Sequence, residues 1–364
     1  MSDDGPPTRP AAHPLGSGQV ESATLGAFET ESGVTLEGVT LAYRHDGRGP
    51  DAPQALVVHA LTGSADAAGD WWAPVIGPGR ALDTTRYGVL CANLLGGRYG
   101  STGPTALDPS TGQPYGDRFP VLTPRDQARA LWRLADALGI HRFTLVTGGS
   151  LGGMVALEVA LARPGRVDVL APIAAPAATG AMAVAWNHIQ LQLIERLGAD
   201  GLSLARQLAM TTYRSELDFE ARFGRRVEAD GRWSIASYLD HQGAKLLDRF
   251  DPTTYRTLVR AMDAHDIGRG RGGIASALGA LARGGTTILA TGIPGDILYG
   301  PGQVRALLDA ARAAGVNVRY RELRSTKGHD AFLVEWDQLA DILREALALG
   351  AAGQAEEVVE AGAA

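Results

Sequence analysis

The sequence is nearly free of cysteine, with Cys91 as the one such residue among 364. A single cysteine excludes an intramolecular disulfide and is typical of proteins from a reducing compartment. No apolar run reaches the length that spans a bilayer, and the first residues lack the basic start and apolar core of a signal peptide. We therefore expect a cytoplasmic protein that does not act at a membrane.

A surplus of basic residues is also missing. Lysine and arginine total 34 against 40 aspartates and glutamates, which gives a net charge of −6. Without such a surplus the chain cannot displace counterions from a phosphate backbone, so no nucleic-acid partner is expected. The sequence also lacks the His-Glu-x-x-His, Cys-x-x-Cys and Walker-A lysine patterns. We accordingly expect no metal and no bound cofactor.

The sequence does contain enough apolar residues, 45%, to build a large buried core. Its short apolar runs alternate with helical patterns, and Thr123-Pro124 starts a helix predicted to continue to residue 138. The first two runs are predicted to form an antiparallel hairpin at the sheet edge. This alternation predicts a doubly wound α/β fold with a mostly parallel sheet. The predicted strands are 23–30, 34–44, 55–58, 87–92, 143–147, 167–174, 286–291 and 316–323.

The alternation is interrupted once, and both ends of the chain differ from its middle. Residues 179–281 have helical patterns and no convincing buried strand, so we expect a helical cap there that also contributes to a homodimer. The α/β core is predicted to comprise residues 23–178 and 282–349. Residues 1–22 are rich in Pro, Gly and Ser, and residues 350–364 in Ala, Gly and Glu. Both segments are predicted to be disordered or frayed tails.

The most informative stretch is Gly148-Gly149-Ser150-Leu151-Gly152, which follows a buried strand and runs directly into a helix. A Gly-x-Ser-x-Gly pattern between a strand and a helix is typical of a nucleophile elbow. The serine of such a turn needs a strained backbone, and flanking glycines prevent clashes with the neighbouring elements. Ser150 is therefore the predicted nucleophile.

A serine nucleophile needs a histidine base and an acid that orients the histidine. In doubly wound folds with this elbow, the acid follows the serine in the chain and the histidine comes last. Asp296 and His329 fit, since each lies in the loop directly after a predicted strand, at the sheet edge where such folds place their sites. His59 lies too early in the chain for the base and is expected to hydrogen-bond within its own loop.

An oxyanion hole requires two backbone N–H groups directed at the developing negative charge. Leu151 follows the nucleophile at a helix N-terminus and is predicted to supply one of them. The second is expected from the loop after the third strand, where Leu61 is our choice.

Taken together, the motifs resemble those of the homoserine O-acyltransferases of the α/β-hydrolase superfamily. The resemblance extends from about residue 25 to residue 345. The motifs that carry it are His59–Gly63, Trp71-Trp72, Ile76–Gly79, Asn93–Gly97, Gly100–Pro104, Pro114–Gly116, Phe119-Pro120, Gly148–Met154, Thr212–Ser215, Arg222–Arg225, Tyr238–Gly243, His265–Gly270 and Gly328–Phe332.

The resemblance implies transfer of an acetyl group from acetyl-CoA, as a co-substrate, to the hydroxyl of L-homoserine. The route it implies is ping-pong, through an acyl-Ser150 intermediate. By position, Arg214 is implied to hold the homoserine carboxylate and Asp330 its ammonium group. A planar guanidinium forks onto a carboxylate, and an aspartate beside the catalytic histidine can pair with a cation.

Two departures from the family pattern bear on specificity. The acid lies in Gly295-Asp296 rather than Ser-Asp, and Arg98 stands where the family often has cysteine. Succinyl-CoA as donor and L-serine as acceptor therefore stay open. An ester hydrolase is a further alternative, because it shares the acyl-serine intermediate. A non-catalytic binding module is disfavoured by the intact set of Ser150, Asp296 and His329.

Overall fold

The computed structural model of the protein describes the backbone of residues 15–362 and the side chains of residues 15–350. Most of the predicted N-terminal tail lies outside this range. The first strand nevertheless begins at Val20, inside the segment predicted as a tail, because Val20 pairs with Arg44. The last helix, Trp336–Gly362, likewise continues through the segment predicted to fray. Its alanines favour the helix.

The strands form one sheet in the order β1-β2-β4-β3-β5-β6-β7-β8. The β1–β2 hairpin is antiparallel and lies at one edge, and β2 pairs antiparallel with β4. From β4 to β8 all neighbouring strands are parallel. The bounds are β1 Val20–Glu29, β2 Thr35–Gly47, β3 Gln54–Val58, β4 Gly88–Ala92, β5 Phe143–Gly149, β6 Val167–Ile173, β7 Thr287–Gly292 and β8 Val318–Glu322.

Helices connect and cover these strands. The α-helices are α1 Pro124–Ala137, α2 Leu151–Ala162, α3 Ala181–Leu197, α4 Ala199–Tyr213, α5 Glu216–Arg222, α6 Ser234–Leu247, α7 Pro252–Asp263, α8 Ile274–Arg283, α9 Pro301–Ala313 and α10 Trp336–Gly362. Two short 3₁₀ helices span Gly116–Arg118 and Gly328–Leu333. Among the helices of the described chain, none combines the length and apolarity needed to cross a bilayer.

The central strands are buried on both faces, and their side chains enter two separate cores. Along β3, Leu56 and Val58 pack into the core that contains α1, α2, α8 and α9. Ala55 and Val57 point to the other face, where α10 and the buried Trp72 cover the sheet. This double burial explains why the strands read as continuous apolar runs rather than alternating ones. The doubly wound α/β architecture predicted from the sequence is confirmed.

Helices α3 to α7 lie between β6 and α8 and pack mainly on one another, α3 against α4 and α7, and α4 against α6. Helix α8 instead packs against α2 and α9 of the core. Since α8 includes residue 281, the predicted end of the insertion, we propose that the inserted unit ends before α8. Within the described part of residues 179–281, the strand pairing is limited to isolated bridges.

The two ends of this insertion are tied together at the sheet edge. Thr179 N–H donates to the carbonyl of His265 at 2.9 Å, and Ile267 N–H donates to the carbonyl of Ala177 at 3.0 Å. The buried His265 ring places Nε2 2.9 Å from the carbonyl of Pro176. Burial lowers the pKa of His265 to about 4, so the ring is neutral and Nε2–H is the donor.

Glycine is required where α2 crosses β3, and this generates a paired prediction. A Cβ on Gly152 would lie below 3.0 Å from the backbone oxygens of Val58 and His59. Gly152→Ala should therefore lower the free energy of unfolding by about 1–3 kcal/mol. Gly279→Ala, inside α8, would meet only the end of Arg283 at 3.4 Å. Gly279→Ala should therefore raise the free energy of unfolding by about 0.5–1 kcal/mol. Urea unfolding measures both, and equal effects of one sign would contradict the packing.

Candidate active site

Ser150 lies in the sharp turn between β5 and α2. Its backbone has φ 58° and ψ −125°, in the left-handed half of conformational space that disfavours a side chain. The turn is held because Ser150 N–H donates to the carbonyl of Ile173 at 2.9 Å. The preceding Gly149 has no room for a Cβ, since the ring of Phe332 lies against it. This strained strand-to-helix turn has the form of a nucleophile elbow.

The loops after β7 and β8 bring Asp296 and His329 together. Nδ1 of His329 donates to Oδ2 of Asp296 at 2.7 Å, and both side chains are buried. The other oxygen, Oδ1, accepts the backbone N–H groups of Leu298 at 2.8 Å and Tyr299 at 3.0 Å. Asp296 is thus fixed by its own turn before it contacts the histidine.

The free edge of the His329 ring has no hydrogen-bond partner in the part of the chain that the structure describes. Its Nε2 is buried and forms no hydrogen bond with any described residue. Burial lowers the pKa of His329, but the charge and hydrogen bond of Asp296, with the charge of Asp330, outweigh it and the net pKa is raised. The rings of Tyr213, Tyr299 and Phe332 surround the imidazole at centroid distances of 6.0, 5.6 and 5.7 Å.

A cavity of about 560 Å³ lies above this group. Ser150, His329 and Asp330 line it together, whereas Asp296 is behind the histidine and contributes no lining atom. Ser150 and His329 therefore border the same space. Leu61 lines the cavity as well, on the wall formed by the loop after β3.

The two backbone groups predicted for the oxyanion hole are available. Leu151 is the first residue of α2, and Leu61 lies in the loop 59–64 beside the cavity. No hydrogen bond joins either N–H to another described residue. Free N–H groups at a helix N-terminus and an adjoining loop suit a developing negative charge.

His59 supports this loop rather than acting as a base. Its Nδ1 lies 2.7 Å from the carbonyl of Ala60, and its Nε2 accepts the N–H of Leu94 at 3.1 Å. Burial lowers the pKa of His59 to about 4. The ring is therefore neutral, with Nδ1–H as donor, and it joins the loop after β3 to the loop after β4. The hydrogen bond within its own loop was expected from the sequence.

Arg214 and Asp330, the predicted acceptor-binding pair, bind each other. Nη2 of Arg214 lies 3.2 Å from Oδ2 of Asp330, and Nη1 lies 3.8 Å from Oδ2 of Asp218. Nε of Arg214 is buried and has no partner among the described residues. Burial raises the pKa of Asp330, although the charges of Arg214 and His329 oppose the rise. Asp330 lines the cavity, whereas Arg214 is not among the described residues that line it.

Two cavity residues escaped the sequence reasoning. Arg206 lines the cavity from α4, with its guanidinium 5.4 Å from the ring centroid of Tyr213. Arg249, after α6, also lines it and donates to the carbonyl of Thr62 at 3.0 Å. No motif marks either arginine, because only the packing of the insertion over the sheet edge brings them to the site.

Of the two departures from the family pattern, Arg98 has a structural partner. Its Nη1 lies 3.1 Å from Oδ2 of Asp251, the residue that caps the N-terminus of α7. Next to it, the ring of Tyr99 packs edge-on against Phe250 at 6.2 Å. Arg98 therefore joins the loop after β4 to the insertion at the rim of the cavity. Among the described residues, no cluster of His, Cys, Asp or Glu has the arrangement of a metal site.

Solved structures of several enzymes are similar to this geometry. A homoserine O-acetyltransferase from Staphylococcus aureus has a TM-score of 0.77 at 33% identity, over 90% of this chain and 94% of that one. The Bacillus anthracis enzyme of the same name has a TM-score of 0.83 at 23% identity, over 90% of this chain and 97% of that one. Esterase E22 has a TM-score of 0.82 at 23% identity, over 90% of this chain and 99% of that one. The last two likenesses show the fold alone.

Sequence comparison is more specific. The family model described as the alpha/beta hydrolase fold matches residues 56–263. The homoserine O-acetyltransferase of Thermus thermophilus is 46% identical over 348 residues, 87% of this chain and 88% of that protein. That of Moorella thermoacetica is 40% identical over 347 residues, 86% of this chain and 91% of that protein. The chain thus belongs to the homoserine O-acetyltransferase family of the α/β-hydrolase fold.

Proposed function

We propose that the protein transfers an acetyl group from acetyl-CoA to the hydroxyl of L-homoserine, a step of methionine biosynthesis, through an acyl-Ser150 intermediate. The observation that carries this is that Ser150, His329 and Asp330 line one cavity. A nucleophile, its base and an acidic group for a substrate cation thus meet at one place. The relatives from Thermus thermophilus and Moorella thermoacetica are both named homoserine O-acetyltransferase.

In the first half-reaction, Oγ of Ser150 attacks the thioester carbonyl while Nε2 of His329 takes the hydroxyl proton. Asp296 holds the imidazole with Nδ1 protonated and stabilises the imidazolium that forms. The N–H groups of Leu61 and Leu151 receive the carbonyl oxygen as it becomes negative. The tetrahedral intermediate then expels the CoA thiolate, which takes the proton from His329, and the acetyl group stays on Ser150.

In the second half-reaction the acceptor hydroxyl takes the place of CoA. His329 removes the hydroxyl proton as the oxygen attacks the acetyl-Ser150 carbonyl, and the same N–H groups hold the oxyanion. The intermediate collapses with return of the proton to Oγ of Ser150. O-acetylhomoserine leaves, and the free serine is restored.

The acceptor is a zwitterion. We propose that it binds between Arg214 and Asp330 and replaces their contact with each other. Its carboxylate would bind Arg214 in a bidentate manner, and its ammonium would bind Asp330. Since Arg214 is already held near the cavity by Asp330 at 3.2 Å, the exchange needs a small movement of the guanidinium. The unpartnered Nε of Arg214 offers a further donor for the carboxylate.

An ester hydrolase of the same fold is the second candidate, because water can replace the acceptor hydroxyl. Against it stand Arg214 and Asp330, whose opposite charges suit a zwitterionic acceptor and are not needed to bind water. The discriminating experiment offers acetyl-CoA or succinyl-CoA to the enzyme with homoserine, serine or water as acceptor. Faster turnover with water than with either amino acid would contradict the transferase proposal.

A homodimer and a cytoplasmic location stay predictions. In favour of the dimer, α3 of the insertion exposes apolar side chains that a second copy would cover: Met182, Ile189 and Leu197 are 63%, 48% and 51% exposed. Exposed apolar side chains that recur along one helix are typical of protein–protein contact surfaces.

Ser150→Ala removes the proposed nucleophile. No acyl-enzyme can then form, so incubation with radiolabelled acetyl-CoA should leave no label on the protein, whereas the wild-type protein should retain about one acetyl group per chain. Acid quenching and intact-protein mass spectrometry provide the measurement. Label retained on the Ser150→Ala variant would show that another residue is acylated.

Asp296→Asn tests the role of the acid through pH. Only neutral His329 is a base, so activity is lost as the pH falls through its pKa. Because that pKa is raised, the acid limb of kcat/KM for acetyl-CoA should lie above pH ~6.5. With asparagine the contribution of Asp296 disappears and burial remains, so the limb should move to lower pH. The rate should fall by about 10⁴ because the required tautomer is lost. An unmoved limb would argue against the pairing.

Arg214→Gln should separate the two half-reactions. A buried charge-assisted hydrogen bond is worth about 1.5–3 kcal/mol, so kcat/KM for homoserine should fall by roughly one to two orders of magnitude. The burst of CoA release precedes acceptor binding and should fall much less, because the 2.7 Å contact between Lys327 and Asp218 beside His329 is kept. Arg225→Gln, at a residue that lies over the exposed Trp233 ring, is the control. Equal losses in both half-reactions of the Arg214→Gln variant would remove the support for an amino-acid acceptor.

A further inference from the structure

Two short segments run alongside each other at the edge of the site. One is residues 213–218, which run from the last residue of α4 into the first turn of α5; we call it the insertion segment. The other is residues 326–330 after β8, which carry His329; we call it the histidine loop. The proposed mechanism assigns no role to the central contact between them.

Their backbones touch at Gly328. Its φ is +69°, and a Cβ there would lie 2.7 Å from the amide nitrogen of Ser215 and 2.9 Å from the carbonyl carbon of Arg214. Any side chain would force the two segments apart. The hydroxyl of Ser215 also donates to the carbonyl of Thr326. The histidine loop is therefore seated directly on the backbone of the insertion.

An ion pair flanks this contact. Nζ of Lys327 lies 2.7 Å from Oδ1 of Asp218. The side chain of Asp218 is 1% exposed and that of Lys327 39% exposed. Removing the nearest cation from a buried carboxylate is costly, so the Lys327–Asp218 pair constrains where the loop can lie. Its backbone position is also defined, because Asp218 N–H donates to Oγ of Ser215 at 3.1 Å.

The second oxygen of Asp218 has two further cationic neighbours on the insertion. It lies 3.5 Å from Nη1 of Arg222 and 3.8 Å from Nη1 of Arg214, whose Nη2 reaches Asp330 at 3.2 Å. The ion pairs thus leave the histidine loop at Lys327, pass through Asp218 and Arg214, and return at Asp330. His329 lies between the two points of attachment.

We propose that Asp218, through Lys327, is a positioning residue that holds the histidine loop, and with it His329, at the distance from Ser150 that acylation requires. Neither Asp218 nor Lys327 is among the described residues that line the cavity, so they act through His329 and not on the substrate. The inference rests on the proposed role of His329 but not on the identity of the acyl donor or acceptor.

The test measures acylation of Ser150 with p-nitrophenyl acetate, which needs neither CoA nor homoserine. Asp218→Asn and Lys327→Gln should each lower the burst rate at saturating ester by about 10- to 100-fold, because a small misplacement of a base is costly. The ester concentration at half saturation should not change. The double variant should be no slower than the slower single variant, since both changes remove one interaction.

Two further variants distinguish positioning from general stability. Lys327→Arg keeps the charge and should restore the burst rate to within about threefold of wild type. Arg271→Gln is the matched control, because it strips a cation from Glu158, another carboxylate that is 2% exposed, at 2.5 Å. It should lower Tm while leaving the burst rate per folded molecule unchanged.

Several outcomes would overturn the proposal. A normal burst rate in the folded Lys327→Gln variant is one, and an equal loss in the Lys327→Arg and Lys327→Gln variants is another. A loss that appears only in the half-saturation concentration would place the residues on the ester instead. If the burst behaves as expected but no acetyl group reaches homoserine, the positioning role stands and the proposed acceptor is wrong.

Discussion

The hydrogen bond from His329 to the Asp296 carboxylate is the contact on which the rest of the site depends. It joins the loops after β7 and β8, and each of its two side chains is held in place by its surroundings. Asp296 accepts two backbone N–H groups from its own turn, and three aromatic rings surround the imidazole. Because neither partner can rotate freely, one ring nitrogen is committed to the acid and the other is left for the cavity.

Much of the fold and of the candidate site could be predicted from the sequence. The central strands were predictable because they are buried on both faces and therefore read as short apolar runs. Asp296 and His329 were predicted from their order after Ser150 in the chain and from the rule that parallel strands deliver their carboxyl ends to the same edge. The elbow was predictable because the strained turn at Ser150, where φ is positive, needs glycines beside it, and those glycines are visible in the sequence.

The remainder depended on contacts between segments far apart in the chain, which no local pattern encodes. Arg206 on α4 and Arg249 after α6 reach the cavity only through the packing of the insertion over the sheet edge, and no sequence motif marks either. Helix α8 has the same kind of pattern as α7, yet it packs on the core. Asp218 and Lys327 are 109 residues apart, so their pairing follows from the tertiary fold alone.

Two of the buried histidines, His59 and His265, have a consequence for the molecule as a whole. Burial lowers the pKa of each to about 4, whereas in the unfolded chain each would take up a proton near pH 6.5. As the medium is acidified from there towards pH 4, the unfolded state is stabilised by up to about 1.4 kcal/mol per pH unit for each ring. One ring joins the loop beside the nucleophile to its neighbour, and the other closes the base of the insertion. Acidification towards pH 4 would therefore lower the free energy of unfolding through the same two rings that tie these loops together.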